Sequence, residues 1–325
     1  MRSGIGRSSL VLCGALCAMV PAIPAAQSYP SKPIRVVVAF APGGGTDVYA
    51  RLIMNRLGER LGQARMLIDN RGGGGGYIGA EIAAKAPPDG YTLFFTAANI
   101  VMALKLYPQQ PVDPMKDFRP VSLLVKEPSL LVVHPSLPVK TVKELIALGR
   151  ANPGTINYGG GHGTSSHLNT ELFKYMAKVS FTQVPYAGGT GPAVIGALIG
   201  EAPVLISPIS AVVPHVNNKR LRALAITLPQ RSAALPEIPA IAENLPGYAA
   251  FQWYGVLTPA GTPQDIINRL YEELGRVMQS QDLKSRIAGE GSISLSSTPQ
   301  EFATHMREEA VKWAKVVEVS GAKTN

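Results

Sequence analysis

The residues best suited to chemistry in this chain lie in four glycine-rich turns. They are Pro42–Asp47 (PGGGTD), Asn70–Gly76 (NRGGGGG), Gly159–Ser166 (GGGHGTSS) and Pro185–Pro192 (PYAGGTGP). Glycine lets the backbone adopt positive φ and lets a ligand come close to the main chain. A helix that starts directly after such a turn offers N–H groups outside its own ladder and a partial positive charge. That combination suits a carboxylate, phosphate or sulfate. Taken alone, Pro42–Asp47 fits such a cradle and fits equally a tight βα turn that binds nothing.

The other chemistries these residues suggest do not carry through. Thr46 follows Gly45 where a Walker loop needs lysine, and Val48 stands where a dinucleotide fingerprint needs its third glycine. Ser165 and Ser166 lie near His162 and His167, but Gly163-Thr164-Ser165-Ser166-His167 breaks the nucleophile elbow. Of the five histidines, only His162 and His167 are close in sequence, and no cysteine or carboxylate joins them at metal-ligand spacing. No catalytic residue, metal site or cofactor is expected. His167 reads as a residue that caps or packs on its own helix.

The elements that position these turns alternate strand and helix. Arg35–Ala41 is a Val-rich run suited to a strand buried on both faces. Val48, Leu52, Ile53, Leu57 and Leu61 then fall at helical spacing. Thr46 is expected as the N-cap, with Asp47 as a structural carboxylate in the first turn. Further strands are expected at 66–69, 91–96, 155–158, 181–184, 203–207, 221–227 and 251–257. The segment 121–133 reads as one kinked strand, or two, that crosses between domains. Thr141–Glu144, Thr262–Asp265 and Thr298–Glu301 read as capping boxes. Pro192 is expected at the first position of its helix, and the last helix is expected to end near Val319. Trp253 leans to core; Tyr254 fits either core or the wall of a cleft.

This order predicts an α/β protein of two lobes. Residues 27–127 and 228–325 form one, residues 128–227 the other, and two crossings leave a cleft between them. All four glycine turns follow strands and so face that cleft. Residues 1–26 read as a Sec-type signal peptide, with Arg2 and Arg7 ahead of an apolar run and a cut after Ala26 or Ala25. Both cysteines, Cys13 and Cys17, would leave with it. The remaining chain, of 325 residues in all, then has no thiol and an expected periplasmic location. Its formal charge falls from +9 to +7 with Arg2 and Arg7. The densest basic cluster, Lys219, Arg220 and Arg222, lacks the interleaved aromatics of a nucleic-acid surface, so no nucleic-acid partner is expected.

The motifs as a set resemble the Bug-type substrate-binding proteins of tripartite tricarboxylate transporters. They are PGGGTD (42–47), DNRGGGGGYIGAE (69–81), APPDGYTL (86–93), NYGGGHGTSSHL (157–168), VPYAGGTGPA (184–193), LRALAIT (221–227) and LPGYAAFQWYGVLTPAGTP (245–263). The resemblance implies the periplasmic-binding fold with two hinge crossings. It also implies a monomer that captures a small carboxylate, dicarboxylate, tricarboxylate or aromatic, and passes it to membrane permease subunits. The positions it assigns to the ligand are Pro42, Gly43, Gly44, Gly45, Thr46 and Asp47 in the first turn. In the third turn they are Gly163, Thr164, Ser165 and Ser166. Asn99 is the polar residue after the third strand; Tyr186, Gly188 and Gly189 belong to the fourth turn. Ser207 stands where relatives often carry an acidic residue, which disfavours a ligand with a free ammonium. Five glycines after Arg71 also depart from the family's usual Arg-Pro-Gly-Ala-Gly-Gly. A receptor for a sensor kinase and a periplasmic hydrolase are the alternative functions.

Overall fold

The computed structural model describes residues 29–186, 190–289 and 291–320. The expected signal peptide, and Gly188 and Gly189, lie outside the described residues. The first unit is β1 (Ile34–Val38), α1 (Gly45–Arg60), β2 (Met66–Asn70), α2 (Tyr77–Ala84), β3 (Thr92–Ala97) and the single turn α3 (Asn99–Met102). The strands β2, β1 and β3 lie side by side and parallel. The Val side chains of β1 are buried on both faces, which is why the run is continuously apolar.

A 16-residue strand, β4 (Phe118–Val133), then crosses the molecule. It is one strand, with register shifts between Pro120 and Ser122 and between Leu123 and Val125. The second unit is α4 (Val142–Ala151), β5 (Ile156–Gly159), α5 (Ser165–Ala177), β6 (Phe181–Val184), α6 (Thr190–Leu198), β7 (Val204–Pro208), α7 (Ile209–Asn217) and β8 (Arg222–Ile226). The chain returns through β9 (Phe251–Pro259), α8 (Gln264–Gln279), α9 (Gln281–Gly289), β10 (Ile293–Ser294) and α10 (Pro299–Ser320).

The strand order is β2-β1-β3-β9-β4-β7-β5-β6, with β8 and β10 also paired to β4. Residues Phe118–Pro128 of β4 pair antiparallel with β9. Ser129–Val133 pair antiparallel with β7, and Leu130–Val133 with β8. The sheet is therefore mixed rather than wholly parallel, because β9, which re-enters the first unit, runs against both β3 and β4, and β4 in turn runs against β7 and β8. Where the two paths pass, Thr227 binds both. Its Oγ1 accepts from the Ser129 N–H (2.8 Å) and donates to the Ala250 carbonyl (2.7 Å).

Helices cover the sheet through ordinary apolar stripes. Ile267, Leu270, Leu274, Val277 and Met278 form the buried face of α8. In α10, Phe302, Met306 and Trp313 are buried, and the helix packs on β4, α3 and α5. Trp253 is fully buried and meets Phe302 edge-to-face at 5.4 Å, as core.

Several helix starts differ from the sequence reading. Gly44, not Thr46, is the N-cap of α1. Pro192 is the third residue of α6, not the first. Thr262 makes no capping box: its hydroxyl donates to the Pro259 carbonyl, and Pro263 caps α8 without a side-chain bond. At Thr298 the box is complete, with the Glu301 N–H on Thr298 Oγ1 (3.2 Å) and the Thr298 N–H on Glu301 Oε2 (2.8 Å).

Candidate functional site

A cavity of about 830 Å³ opens at the carboxyl ends of β1 and β5. Pro42, Gly43, Gly44, Gly45 and Thr46 form one side. Thr164 and Ser165 contribute from the other unit, and Asn99, Gln252 and Tyr254 add polar side chains. No described lining residue carries a formal charge. Anything anionic bound here is held by dipoles: backbone N–H groups, hydroxyls and amides.

The first turn is built to present N–H groups. Gly43 has φ +84°, and Gly44 is extended. The first bond of the α1 ladder runs from the Val48 N–H to the Gly44 carbonyl (3.0 Å). The N–H groups of Gly45, Thr46 and Asp47 thus lie outside that ladder. Asp47 points away from the cavity. It accepts from the Gly43 N–H (3.0 Å), Asn70 Nδ2 (3.0 Å) and Arg51 Nε (2.9 Å). Burial pushes its carboxyl up, but the bonds from Arg51, Gly43 and Asn70 and the Arg51 charge outweigh this and hold it below the usual range. Asn70 also donates to the Phe40 carbonyl (2.9 Å), so the end of β2 clamps both sides of the turn.

The third turn is built the same way. Thr164 caps α5, accepting from the His167 N–H and donating to the Gly161 carbonyl (2.7 Å). His167 is buried, and its Nδ1 accepts from the Gly163 N–H (3.2 Å). Burial, with His162 and Lys174 nearby, lowers its pKa to about 4. The imidazole is therefore neutral, as an N–H acceptor must be. Ser166 is buried beside it with no hydrogen-bond partner for its hydroxyl. Among the described residues neither the Ser165 nor the Ser166 hydroxyl bonds to the ring of His162 or His167.

An amide relay ties the two sides together. Asn99 Nδ2 donates to the Gly163 carbonyl (3.0 Å), and Gln252 Nε2 donates to Asn99 Oδ1 (3.0 Å). A carbonyl only accepts, so the Gly163 oxygen fixes the orientation of both amides. Tyr107 adds a second bond across the cleft, to the His162 carbonyl (3.3 Å).

Beneath the first turn sits a carboxyl group. Glu127, on β4, is fully buried. Its Oε1 accepts the Ser210 N–H at the start of α7 (3.0 Å), and its Oε2 accepts the Tyr254 hydroxyl. A Cβ on Gly45 would lie 2.5 Å from the Tyr254 hydroxyl and 3.5 Å from Glu127 Oε2. Gly45 is glycine because Tyr254 occupies that space.

Of the residues expected at the site, Pro42–Thr46, Asn99, Thr164 and Ser165 line the cavity. Asp47 braces the turn from behind, and Gly163 and Ser166 stand just behind the α5 start. Tyr186 is turned elsewhere, its hydroxyl donating to Glu201 Oε2 (2.7 Å). Ser207 is buried within β7 with its hydroxyl unpartnered. Glu127 and Gln252 were not among the expected residues, while Tyr254, open between core and cleft wall in the sequence, lines the cavity. For Glu127 the signal was Lys-Glu-Pro inside an apolar run, which reads as a break in a strand rather than a functional group.

A second, more open groove of about 860 Å³ lies between α1 and the α8–α9 corner. Most of its charges are paired: Arg51 with Asp47, Arg56 with Asp282, and Arg60 and Arg276 with the buried Glu273 behind them. Among the described residues no cluster of three or more side chains could hold a metal. No described helix is long and apolar enough to cross a membrane.

A two-unit α/β fold with an uncharged, dipole-lined cavity between the units is that of a periplasmic-type solute-binding protein. The chain belongs to the tripartite tricarboxylate transporter receptor family, TctC, whose model matches residues 49–322. It is 36% identical to Protein BugT of Bordetella pertussis over 302 residues, covering 92% of each chain. It is similar in structure to R. palustris Rpa4515, solved with adipate, at 36% identity and TM-score 0.86, over 91% of this chain and 99% of that one. It is also similar to MatC from Rhodopseudomonas palustris, solved with malate, at 31% identity and TM-score 0.82, over 89% and 100%.

Proposed function

We propose that the chain is a periplasmic receptor that captures a small carboxylate and delivers it to the membrane subunits of a tripartite tricarboxylate permease. The observation that carries this reading is the meeting of two prepared helix starts, α1 and α5, at one uncharged cavity. Each start leaves N–H groups outside its ladder, and each is held open by a buried side chain, Asp47 or His167, that takes a loop N–H. A carboxylate between them accepts from both sides, and no bond is made or broken. The solved relatives with adipate and malate support the ligand class. The family supports the permease partner.

We take residues 27–127 with 228–325 as one lobe and 128–227 as the other. The change of β4 partner between Pro128 and Ser129 supports this division, as does the Thr227 tie to Ser129 and Ala250. Ligand then closes the lobes by binding the closed form better than the open one. The Asn99–Gly163 and Tyr107–His162 bonds are contacts that such closure makes.

The test is a thermal-shift screen of the chain without residues 1–26, using mono-, di- and tricarboxylates. A binder raises the melting temperature with concentration, by about 2.7 kcal/mol of stabilisation at a hundred times Kd. Silence across the panel overturns the ligand class.

A further inference from the structure

Resting on the two-lobe carboxylate reading, we infer that Glu127 is a positioning residue for the ligand site: its carboxyl latches the α7 start of one lobe to the wall under the α1 turn of the other, and so favours the closed form that grips the ligand.

Glu127 sits where β4 changes partners. It pairs with β9, as Pro128 does, and from Ser129 onward β4 pairs with β7. Its side chain is fully buried. Oε1 reaches across to the other lobe, accepting the Ser210 N–H of α7 (3.0 Å), 83 residues further along the chain. Oε2 accepts the Tyr254 hydroxyl within its own lobe.

Both links end at the cavity, because Ser210 and Tyr254 line it. The N-cap of α7, Pro208, supplies no side-chain bond, so Glu127 caps this helix from the opposite lobe, where the dipole favours a carboxylate. Ile209, beside Ser210, is buried, and a Cβ on Gly291 would lie 2.7 Å from its Cδ1. The α7 start thus packs on the first lobe as well as bonding to it. Tyr254 in turn packs on Tyr49 of α1, ring centres 4.8 Å apart, and fills the space beside Gly45. One carboxyl therefore connects α7 to the turn whose N–H groups face the ligand. Opening the lobes draws Ser210 away and takes a donor from a buried oxygen, so the bond weights the equilibrium towards the closed form.

Calorimetric titration with adipate and with hexanoate, and solution scattering without ligand, test this on the chain lacking residues 1–26. Glu127→Ala removes both links. It is expected to scatter as a more open molecule than wild type and to bind at least about tenfold more weakly. Glu127→Gln keeps an oxygen for Ser210 and an NH2 that the Tyr254 hydroxyl can accept, so it is expected to stay within about threefold of wild type. Acetate supplies the CH2–COO⁻ group that Glu127→Ala deletes, and Ser210 and Tyr254 open its site to the cavity. Excess acetate is expected to raise the affinity of Glu127→Ala at least about threefold and not that of wild type. Wild-type affinity and scattering in folded Glu127→Ala overturn the inference. A loss that acetate does not recover also overturns it, because damaged packing rather than a missing link then explains the effect. If Glu127→Ala does not fold, Tyr254→Phe removes the hydroxyl link alone, and wild-type affinity and scattering there overturn the inference. Silence of wild type towards both ligands and the whole carboxylate panel overturns the carboxylate reading, and the ligand-free scattering then decides the latch by itself.

Discussion

At the scale of the residue, two buried side chains do the same job by different means. Asp47 and His167 each accept an N–H from a glycine four residues before them, Gly43 and Gly163. Both keep a turn open so that later N–H groups face the cavity. Asp47→Asn replaces an acceptor oxygen with an NH2 that faces other donors. The expected cost is about 1–3 kcal/mol of stability, with carboxylate affinity falling less than about tenfold. Thermal melts and calorimetry read both numbers. Loss of all binding in a folded Asn variant would show that Asp47 meets the ligand itself.

His167 makes a prediction about pH. Its pKa falls from 6.5 in the unfolded chain to about 4 in the fold. The unfolded chain therefore binds the proton better. The neutral ring's contribution is fully present above pH 6.5 and is lost as pH falls towards 4. The shift corresponds to about 3 kcal/mol. His167→Asn keeps an acceptor near Nδ1 and does not titrate. The stability gap between wild type and variant is expected to shrink as pH drops from 7 to 4. A constant gap would mean that the imidazole titrates freely.

At the scale of the element, the glycines of the first turn separate backbone need from packing need. Gly43 has φ +84° and open space around its missing Cβ. Gly43→Ala is therefore expected to cost only the left-handed strain, about 1–2 kcal/mol. Gly45 is helical, but its Cβ would strike the Tyr254 hydroxyl. Gly45→Ala is expected to preserve the fold, displace Tyr254 and cut carboxylate affinity at least about tenfold, more than Gly43→Ala does. Equal effects of the two substitutions would refute the packing role. Element types were legible in the sequence wherever a period was strong, as in β1, α1, α8 and α10. Starts were less legible. Thr46, Thr262 and Pro192 each have good local chemistry for a helix start, but tertiary contacts moved the boundary by one or two residues. The turn around Tyr254 was legible only as glycine, because what fills the space beside Gly45 comes from a strand two hundred residues later.

At the scale of the molecule, one strand organises both halves. β4 carries Glu127 at the point where its partners change, between the α1 turn and the α7 start. A sequence reading sees that glutamate as an interruption of two apolar runs. Only the register, which sets Glu127 opposite Gln252 and diagonal to Tyr254, turns it into a support behind the wall. The cross-cleft bond from Asn99 to the Gly163 carbonyl was likewise out of reach, although Asn99 itself was legible as the polar residue after β3. Asn99→Leu removes that bond and frees the Gln252 amide. It is expected to weaken carboxylate binding at least about tenfold while scattering in solution shifts towards a more open molecule. Unchanged affinity would remove the relay from the closure mechanism.

The central claim is that a carboxylate sits between two helix starts. The most direct measurement is a crystal structure of the chain without residues 1–26 with hexanoate bound. The account predicts both carboxylate oxygens within hydrogen-bond distance of N–H groups at Gly45–Thr46 and at Ser165–Ser166. A carboxylate bound instead in the arginine-lined groove between α1 and α8, with the glycine turns untouched, would contradict it.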